Sequence, residues 1–376
     1  MRHIIGRTIA VVAMWIFPNA AVAQPQPSRV ILVVIDGVRW QEVFRGADRT
    51  IAADKQRTVK TDEIALRFVK PSARAVALTP FLHEIPAKGG ILIGDRDHGG
   101  CMRVANPYWF SYPGYNELLT GRVDPRINSN DPLPNPNVTV LEWLNRRLDF
   151  AGKVRAFATW RTFHAIFNDQ RSGIPVNAGL EMLKTDATDV ALINKLQADT
   201  PHPWSEDERF DAFTHAYALR SLTIDQPRVL YIGYGEPDAH AHAGTYDEYL
   251  LAIHRADRFL RELWDKAQAD PAWAGRTTMI VTTDHGRGAG TIEPDRWTDH
   301  GSGLDRNGHA HPDKHVAGSQ AGWAAVLGPM PLRPRPSDPC STLGQIAATV
   351  LQSLEIDWHE FQSSAAPPLM RQSRAK

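Results

Sequence analysis

Five short apolar runs, rich in β-branched residues, recur along the chain, and stretches with a helical pattern separate them. The apolar runs span residues 29–36, 154–160, 228–233, 277–283 and 321–327, and the helical stretches span residues 139–150, 206–222, 246–269 and 342–354. A continuous apolar run is typical of a strand buried on both faces, as in a parallel sheet. The alternation therefore predicts an α/β fold with a mostly parallel central sheet and helices on both faces.

Two long segments, residues 45–74 and 286–319, show no regular pattern, and the second is rich in Gly, Asp and His. Loops of this length inside a compact domain are usually functional. We therefore predict that both are insertions that form a cap or rim near the functional site. The sequence shows no internal repeat and no low-complexity linker, so residues 24–376 are predicted to form a single domain.

The first 23 residues have the three parts of a secretory signal peptide. A charged start at residues 2–7 precedes an apolar run at residues 9–17, and an Ala-x-Ala pattern ends at Ala23. The apolar run is shorter than the roughly 20 residues that a membrane-spanning helix needs. We predict cleavage after Ala23 and an exported protein, periplasmic or secreted, with no membrane span after cleavage; an uncleaved anchor is the alternative.

The composition bears on partners and on redox state. The 42 Lys and Arg balance the 42 Asp and Glu, so the sequence gives no indication of a nucleic-acid-binding surface, while the 15 histidines suggest metal binding. The only two cysteines are Cys101 and Cys340. In an oxidising compartment these can pair, and two separate buried thiols are the alternative, which the sequence leaves open.

Ser111 stands before a Pro-Gly pair and the helix-like stretch 115–120. Gly114 permits a tight turn, so Ser111 is predicted to lie at a loop-to-helix corner. A phosphoryl group on a serine at a helix N-terminus is stabilised by the free N–H groups and the helix dipole. The simpler interpretation is that Ser111 only caps the helix.

Acidic and imidazole side chains follow three of the apolar runs. Asp36 ends the first, Asp238 and His242 follow the third in a predicted loop, and an adjacent pair, Asp284 and His285, ends the fourth. Ligands of open α/β sheets bind beyond the carboxyl ends of the strands. Asp and His together are typical ligands of zinc, and this set is larger than one ion needs. Two ions about 4 Å apart would suit phosphoryl transfer.

These residues resemble the motifs of the alkaline phosphatase superfamily, in particular its branch of nucleotide pyrophosphatases/phosphodiesterases. The motifs appear in the family's order over roughly residues 29 to 330. They are Val-Val-Ile-Asp36-Gly, Ser111-Tyr-Pro-Gly, Glu-Pro-Asp238-Ala-His-Ala-His242, Thr-Asp284-His285-Gly and Trp-Thr-Asp-His300-Gly. The resemblance implies an alkaline-phosphatase-like fold and a hydrolase of phosphate esters with two divalent metal ions, most simply zinc.

The resemblance also implies a ligand set. Asp36, Ser111, Asp284 and His285 would surround the ion that activates the nucleophile, and Asp238, His242 and His300 would hold the second ion. His315 is the alternative last ligand, whereas His309 and His311 are interpreted as surface residues. The family's mechanism would then pass through a phosphoserine at Ser111, with the second ion stabilising the leaving oxygen.

Charge on the phosphoryl oxygens is expected to meet the Tyr112 N–H and the side-chain amide of Asn130, a position that matches the family loosely. Arg161 is a further candidate, with a surface role as its alternative. Ser111 lacks the x-Pro-x-Arg sequence of sulfatases, which argues against that activity. A small-molecule phosphate monoester or diester remains open as substrate. A phosphotransferase and a non-catalytic binding protein are the alternative functions.

Overall fold

The structure, a computed structural model of the chain, describes residues 28–184, 187–201, 204, 207–290, 296–329, 332–334, 340–362 and 365–371. The predicted signal peptide lies outside the described residues. Within them, no helix combines the length and the apolar character that crossing a bilayer requires.

The strands follow the chain in this order: β1 (Arg29–Ile35), β2 (Ile91–Ile93), β3 (Met102–Arg103), β4 (Val154–Ala158), β5 (Val176–Ala178), β6 (Val229–Tyr234), β7 (Thr277–Thr282), β8 (Ser302–Leu304), β9 (Ala310–His315), β10 (Ala324–Leu327), β11 (Arg333–Pro334), β12 (Ser341–Thr342) and β13 (Met370–Arg371). The helices are α1 (Trp40–Arg45), α2 (Arg49–Ala53), α3 (Thr61–Ile64), α4 (Arg74–Leu78), α5 (Pro80–Glu84), α6 (Ser111–Thr120), α7 (Val140–Asn145), α8 (Phe163–Phe167), α9 (Asp169–Ser172), α10 (Thr188–Asp199), α11 (Asp211–Ile224), α12 (Glu236–His242), α13 (Tyr246–Ala269) and α14 (Gln345–Ser353). A π-helix (Ala65–Val69) and three 3₁₀ turns (Pro86–Lys88, Arg96–His98, Trp358–Glu360) complete the described elements.

The central sheet has seven described strands in the order β2-β10-β7-β1-β6-β4-β5. β1 pairs in parallel with β6 and β7, and β4 pairs in parallel with β5 and β6, whereas β10 runs antiparallel to its neighbours. The predicted α/β fold with a mostly parallel sheet is therefore confirmed. Because parallel strands end on the same side, the carboxyl ends of β1, β4, β6 and β7 face a common edge of the sheet.

The position of β1 inside the sheet explains why residues 30–35 are all apolar. Ile31, Val33 and Ile35 belong to the core on one face of the sheet, where α13 packs. Val30 and its alternate neighbours belong to the core on the other face, with α6 and α14. Successive side chains point to opposite faces of a strand, so burial on both faces requires an apolar residue at every position.

The structure differs from the prediction in residues 45–74, which are largely helical rather than irregular. Asp48 caps α2 by accepting the Thr50 N–H at 2.8 Å. Ile51, Ile64 and Phe68 then join the core. These helices are short, so they carry too few apolar repeats for a helical period to be visible in the sequence. The segment 286–319 contains the β8–β9 hairpin, and the cap remains a prediction.

The observed boundaries of the elements differ from the predicted ones more than the element types do. Helix α13 has the predicted bounds, but α7 ends at Asn145 rather than at residue 150. Cys101 and Cys340 form a disulfide beside the short parallel pairing of β3 with β12. The bond joins the C-terminal segment to the loop that leads into α6.

Candidate functional site

Asp36, Asp284 and His285, here called the inner cluster, meet at the carboxyl ends of β1 and β7. The Nε2 of His285 lies 3.4 Å from Asp36 Oδ1 and 3.5 Å from Asp284 Oδ2. All three residues are buried, with exposed fractions of 6%, 0% and 0%. The two strands are neighbours in register, so residues 248 positions apart in sequence are placed together by the sheet alone.

Asp238, His242 and His300 form a second group, here called the outer cluster. His242 Nε2 lies 3.2 Å from Asp238 Oδ2 and 3.0 Å from His300 Nε2. The prediction of a loop around Asp238 and His242 is wrong, because both lie on α12. Pro237 stands in its first turn, where proline favours a helix start, and the i, i+4 spacing puts both ligand candidates on one face.

The two clusters are contiguous. The rings of His285 and His300 stack with centroids 4.0 Å apart, and His285 Nε2 lies 3.9 Å from Asp238 Oδ1. His315, the alternative ligand, lies instead on exposed β9, where its Nδ1 contacts the Ser302 carbonyl oxygen at 3.0 Å. The structure thus brings His300, and not His315, into the outer cluster, while His309 and His311 lie on the same exposed strand or its turn.

The donor atoms of these clusters fit divalent ions. In each cluster, one ligand atom per residue lies within 4.8 Å of the others. Among the described residues, Asp36 Oδ1, Asp284 Oδ2 and His300 Nδ1 are buried and have no hydrogen-bond partner. Buried polar atoms are normally satisfied, so these unsatisfied atoms are candidates to bind a cation. His285 Nδ1 lies 2.9 Å from the Gly286 carbonyl oxygen, which can only accept, so its Nε2 is free for a ligand bond.

The electrostatics of the inner cluster agree with that fit. Burial, together with the nearby Asp36 carboxylate, raises the pKa of Asp284 well above its usual range. Burial opposes the charged form of His285, yet the carboxylates of Asp284 and Asp36 raise its pKa to about 9. Both shifts mean that the cluster takes up positive charge, as a proton or as a cation.

Ser111 is the first residue of α6, and its hydroxyl faces the inner cluster. Its Oγ lies 3.3 Å from His285 Nε2, and the residue is 5% exposed. The N-cap is Phe110, which makes no side-chain capping bond, so the interpretation of Ser111 as a cap is wrong. Trp109, just before, has a left-handed φ of 61°. Such strain in a non-glycine residue costs about 1–3 kcal/mol and is concentrated at functional sites.

Two further residues of α6 hold the inner cluster, and the sequence analysis missed both roles. The Tyr115 hydroxyl donates to Asp36 Oδ2 at 2.8 Å, one helical turn below Ser111. A Cβ at Gly114 would lie 2.3 Å from the Asp284 carbonyl oxygen, so only glycine lets the helix approach this closely. The i, i+4 spacing of Ser111 and Tyr115 is the signal that could have identified the tyrosine.

Asn130 lies beside the start of α6, as expected, but its contact differs from the prediction. The Tyr112 N–H, expected to face substrate, donates to Asn130 Oδ1 at 3.0 Å. A backbone N–H can only donate, so Oδ1 is assigned as its partner and the Nδ2 amide remains as a donor. The amide is therefore the available group at this end of the helix.

Arg287 is a site residue that the sequence analysis did not identify. Its side chain is fully buried, and its Nη1 forms an ion pair with Asp238 Oδ1. Gly37 packs against this pair, since a Cβ there would lie 2.3 Å from Asp238 Oδ1. The arginine stands two positions after His285, and that spacing alone does not indicate which ligand it contacts.

A cavity of about 910 Å³ has Asn130, Trp160 and Arg161 among its lining residues, and Asn130 connects it to the start of α6 through the Tyr112 N–H. Arg161 has a side chain 69% exposed, so it borders the cavity from the surface. The backbone of Glu208 forms an isolated antiparallel β-bridge with that of Trp160. Burial, with the charges of Asp238 and Asp36, raises the pKa of Glu208 to about 8.

Comparisons with known proteins agree with this geometry. The model of the type I phosphodiesterase / nucleotide pyrophosphatase family matches residues 102–338. A 2,3-bisphosphoglycerate-independent phosphoglycerate mutase of Gracilaria tenuistipitata var. liui is 29% identical over 69 residues, which are 18% of this chain. That match spans only 12% of the mutase.

Solved structures share the fold at low sequence identity. A protein in the alkaline phosphatase superfamily from Vibrio parahaemolyticus aligns with a TM-score of 0.50 and 13% identity, over 89% of this chain and 67% of its own. The C-terminal periplasmic domain of EcEptC from Escherichia coli, in complex with Zn, aligns with a TM-score of 0.51 and 10% identity, over 93% of this chain and 89% of that chain.

The family match covers more than half of the sequence and includes the residues of α6 and both clusters except Asp36. The chain therefore belongs to the type I phosphodiesterase / nucleotide pyrophosphatase family.

Proposed function

We propose that this protein is an exported, zinc-dependent phosphodiesterase that acts through a covalent phosphoserine at Ser111. The observation that carries the proposal is the 3.3 Å contact of Ser111 Oγ with His285 Nε2, because it joins the hydroxyl of the first residue of α6 to the inner cluster. The ligand set of Asp and His side chains suits zinc.

Ser111 would attack phosphorus with its Oγ. When bound at the two clusters, divalent ions would lower the pKa of that hydroxyl and stabilise negative charge on the leaving oxygen. The Oγ–P bond forms as the bond from phosphorus to the leaving oxygen breaks, and water later breaks the Oγ–P bond to release the product. Ser111 lies at the N-terminus of a ten-residue helix, whose dipole favours the added negative charge.

The side chains around Ser111 would orient the reacting group. Tyr115 holds Asp36 at the inner cluster through its 2.8 Å hydrogen bond. Asn130, with its Oδ1 engaged by the Tyr112 N–H, would donate its Nδ2 to a phosphoryl oxygen. These groups are set before substrate arrives, so they need no reorganisation during the reaction.

The cavity supports a diester rather than a small monoester as substrate. Its volume of about 910 Å³ is at the upper end of the range for small-molecule pockets and begins at Asn130. Trp160 on its wall offers an aromatic surface, while Arg161 and Asn168 offer polar groups to the organic part of an ester. A phosphate monoester without a large leaving group would leave most of this space to water.

Export is supported by the signal-peptide pattern of the first 23 residues and by the disulfide of Cys101 with Cys340. Disulfides persist in oxidising compartments such as the periplasm.

The test is to purify the chain without residues 1–23, measure bound metal, and compare hydrolysis of p-nitrophenyl phosphate with that of bis-p-nitrophenyl phosphate. We expect bound zinc, loss of activity on chelation, and faster turnover of the diester. Acid quenching during turnover should trap phosphate on the peptide that contains Ser111. Ser111→Ala should be inactive, whereas the neighbouring Ser129→Ala should keep full activity. Full activity of Ser111→Ala would contradict the covalent mechanism.

A further inference from the structure

We infer that Arg287 makes the outer cluster the weaker and more readily exchanged metal site, while the inner cluster holds its ion tightly. The inference rests on the metal sites of the proposed function and ranks these two sites by their affinity for the ion. It concerns a residue of this chain whose fixed positive charge competes for one of the ligand oxygens.

Arg287 is held in place from three sides. Its Nε donates to the Trp297 carbonyl oxygen at 3.0 Å, and its Nη2 donates to the carbonyl oxygen of Thr298. Its Nη1 donates to Asp238 Oδ1. The two carbonyl groups belong to the segment that carries His300, so the guanidinium is anchored to the outer cluster itself.

The guanidinium depends on its ion pair with Asp238 because it is buried. Its side chain is 0% exposed, and a buried charge that loses its partner is strongly destabilising. Gly37 closes the space on the other side, since a Cβ there would lie 2.9 Å from Arg287 Nη1. The ion pair with Asp238 is therefore a built part of the site.

This ion pair lowers the affinity of the outer cluster for a cation in two ways. Asp238 Oδ1 is shared between the guanidinium and His300, whose Nε2 lies 4.0 Å away, and only Oδ2, 3.2 Å from His242 Nε2, is outside the ion pair with Arg287. Arginine also stays charged at any accessible pH, so an ion bound by Asp238, His242 and His300 is repelled at short range.

The inner cluster has no comparable fixed cation among its described ion pairs. Asp36 and Asp284 pair there only with His285, at 3.4 and 3.5 Å. Neither carboxylate of the inner cluster therefore shares an oxygen with a described arginine or lysine. The cluster is also enclosed, whereas the His242 side chain is 48% exposed and gives solvent access to the outer cluster.

Zinc binding to the metal-free protein tests the inference. Equilibrium dialysis against buffered zinc should show two ions per chain, with dissociation constants that differ at least tenfold. His300→Ala should weaken zinc binding in the weak class only, and Asp284→Ala should weaken it in the tight class only. In Arg287→Gln, which keeps a hydrogen-bond donor without the charge, the weak class should tighten at least tenfold, which is about 1.4 kcal/mol.

Arg39→Gln is the matched control. Arg39 is also a buried arginine next to the same segment, with its Nη1 2.9 Å from the Gly288 carbonyl oxygen, but its ion pair is with Glu42. Its replacement should leave both zinc affinities unchanged. Thermal unfolding of each variant shows whether it is folded. If Arg287→Gln is unfolded, the zinc affinities of the two classes of site in the unmodified protein and in His300→Ala decide the ranking.

The outcomes separate the inference from the proposed function. Two ions of equal affinity, or a weak class that is unchanged or weaker in folded Arg287→Gln, would overturn the role of Arg287 and leave the two-metal site intact. Absence of bound zinc at saturating concentration would overturn the proposed function itself.

Discussion

The inner cluster lies at the ends of two neighbouring strands and is enclosed, whereas the outer cluster joins a short helix to a loop and leaves His242 48% exposed. Both clusters consist of Asp and His side chains, but different interactions position these side chains. Asp36 and Asp284 are placed by the register of β1 with β7, so their separation is fixed as long as the sheet exists.

The outer cluster depends on side-chain packing instead. Asp238 and His242 are aligned by one turn of α12, and His300 reaches them from a segment that Arg287 ties to Asp238. Backbone register fixes the positions of two residues of the inner cluster, while side-chain packing positions the outer cluster. The comparison therefore teaches that two groups with the same residue types can differ in the elements that position them.

The largest effect should come from removing one ligand candidate of each cluster. Asp284→Ala should lower kcat/KM for bis-p-nitrophenyl phosphate by at least ~1000-fold, since the inner cluster contacts the nucleophile. His242→Ala should cost only about 10–100-fold and recover in part with added zinc, because the remaining outer ligands still bind weakly. Steady-state kinetics over a range of zinc concentration measures both. Equal losses without recovery would remove the distinction between the clusters.

Gly114→Ala should disturb the packing of α6 against the inner cluster and leave the outer cluster unchanged. Its new Cβ would lie 2.3 Å from the Asp284 carbonyl oxygen, so α6 must shift away and carry Ser111 with it. We expect a loss of about 1–3 kcal/mol in the free energy of unfolding and a large fall in kcat. The control is Gly322→Ala, where the nearest atoms would lie 3.8 Å from the Cβ. Denaturant unfolding and kinetics that match between the two variants would contradict this packing argument.

A smaller effect should follow from Tyr115→Phe, which removes the hydrogen bond to Asp36 and keeps the ring. Loss of a partner that orients a ligand typically weakens metal affinity about 10–100-fold. The tight zinc class should weaken within that range while the weak class stays unchanged. Tyr108→Phe, whose hydroxyl bonds to the Pro125 carbonyl oxygen at 2.9 Å, serves as control. A change in the weak class instead would indicate that Tyr115 acts on the whole site.

The smallest effect concerns pH and Glu208. Burial and the charges of Asp238 and Asp36 raise its pKa to about 8, whereas in the unfolded chain it is about 4.3. The folded state thus holds this proton more strongly, and the stability it contributes is full below about pH 4.3 and is lost as pH rises to about 8. In metal-free protein, Glu208→Gln should therefore melt progressively higher than the unmodified protein across that range. A melting difference that is independent of pH would contradict the shift.

Much of the fold could be predicted from the sequence, because the signal lies in local patterns. Residues 30–35, just before Asp36, are apolar at every position, and α13 carries a 24-residue helical pattern, so both elements were predicted correctly. The short helices of residues 45–74 could not be predicted, since their stability comes from packing Ile51, Ile64 and Phe68 into the core rather than from a local pattern.

The sequence by itself predicted which side chains the fold would gather, because Asp and His residues follow the apolar strands whose ends meet at one edge of the sheet. It named Ser111, the residues of both clusters and the two cysteines as candidates. Only the tertiary structure decided that α12 is a helix, that His300 rather than His315 joins Asp238, and that Arg287 pairs with that carboxylate. Those facts depend on distances between segments far apart in the chain, and such distances are set by packing, which leaves no periodic trace in the sequence.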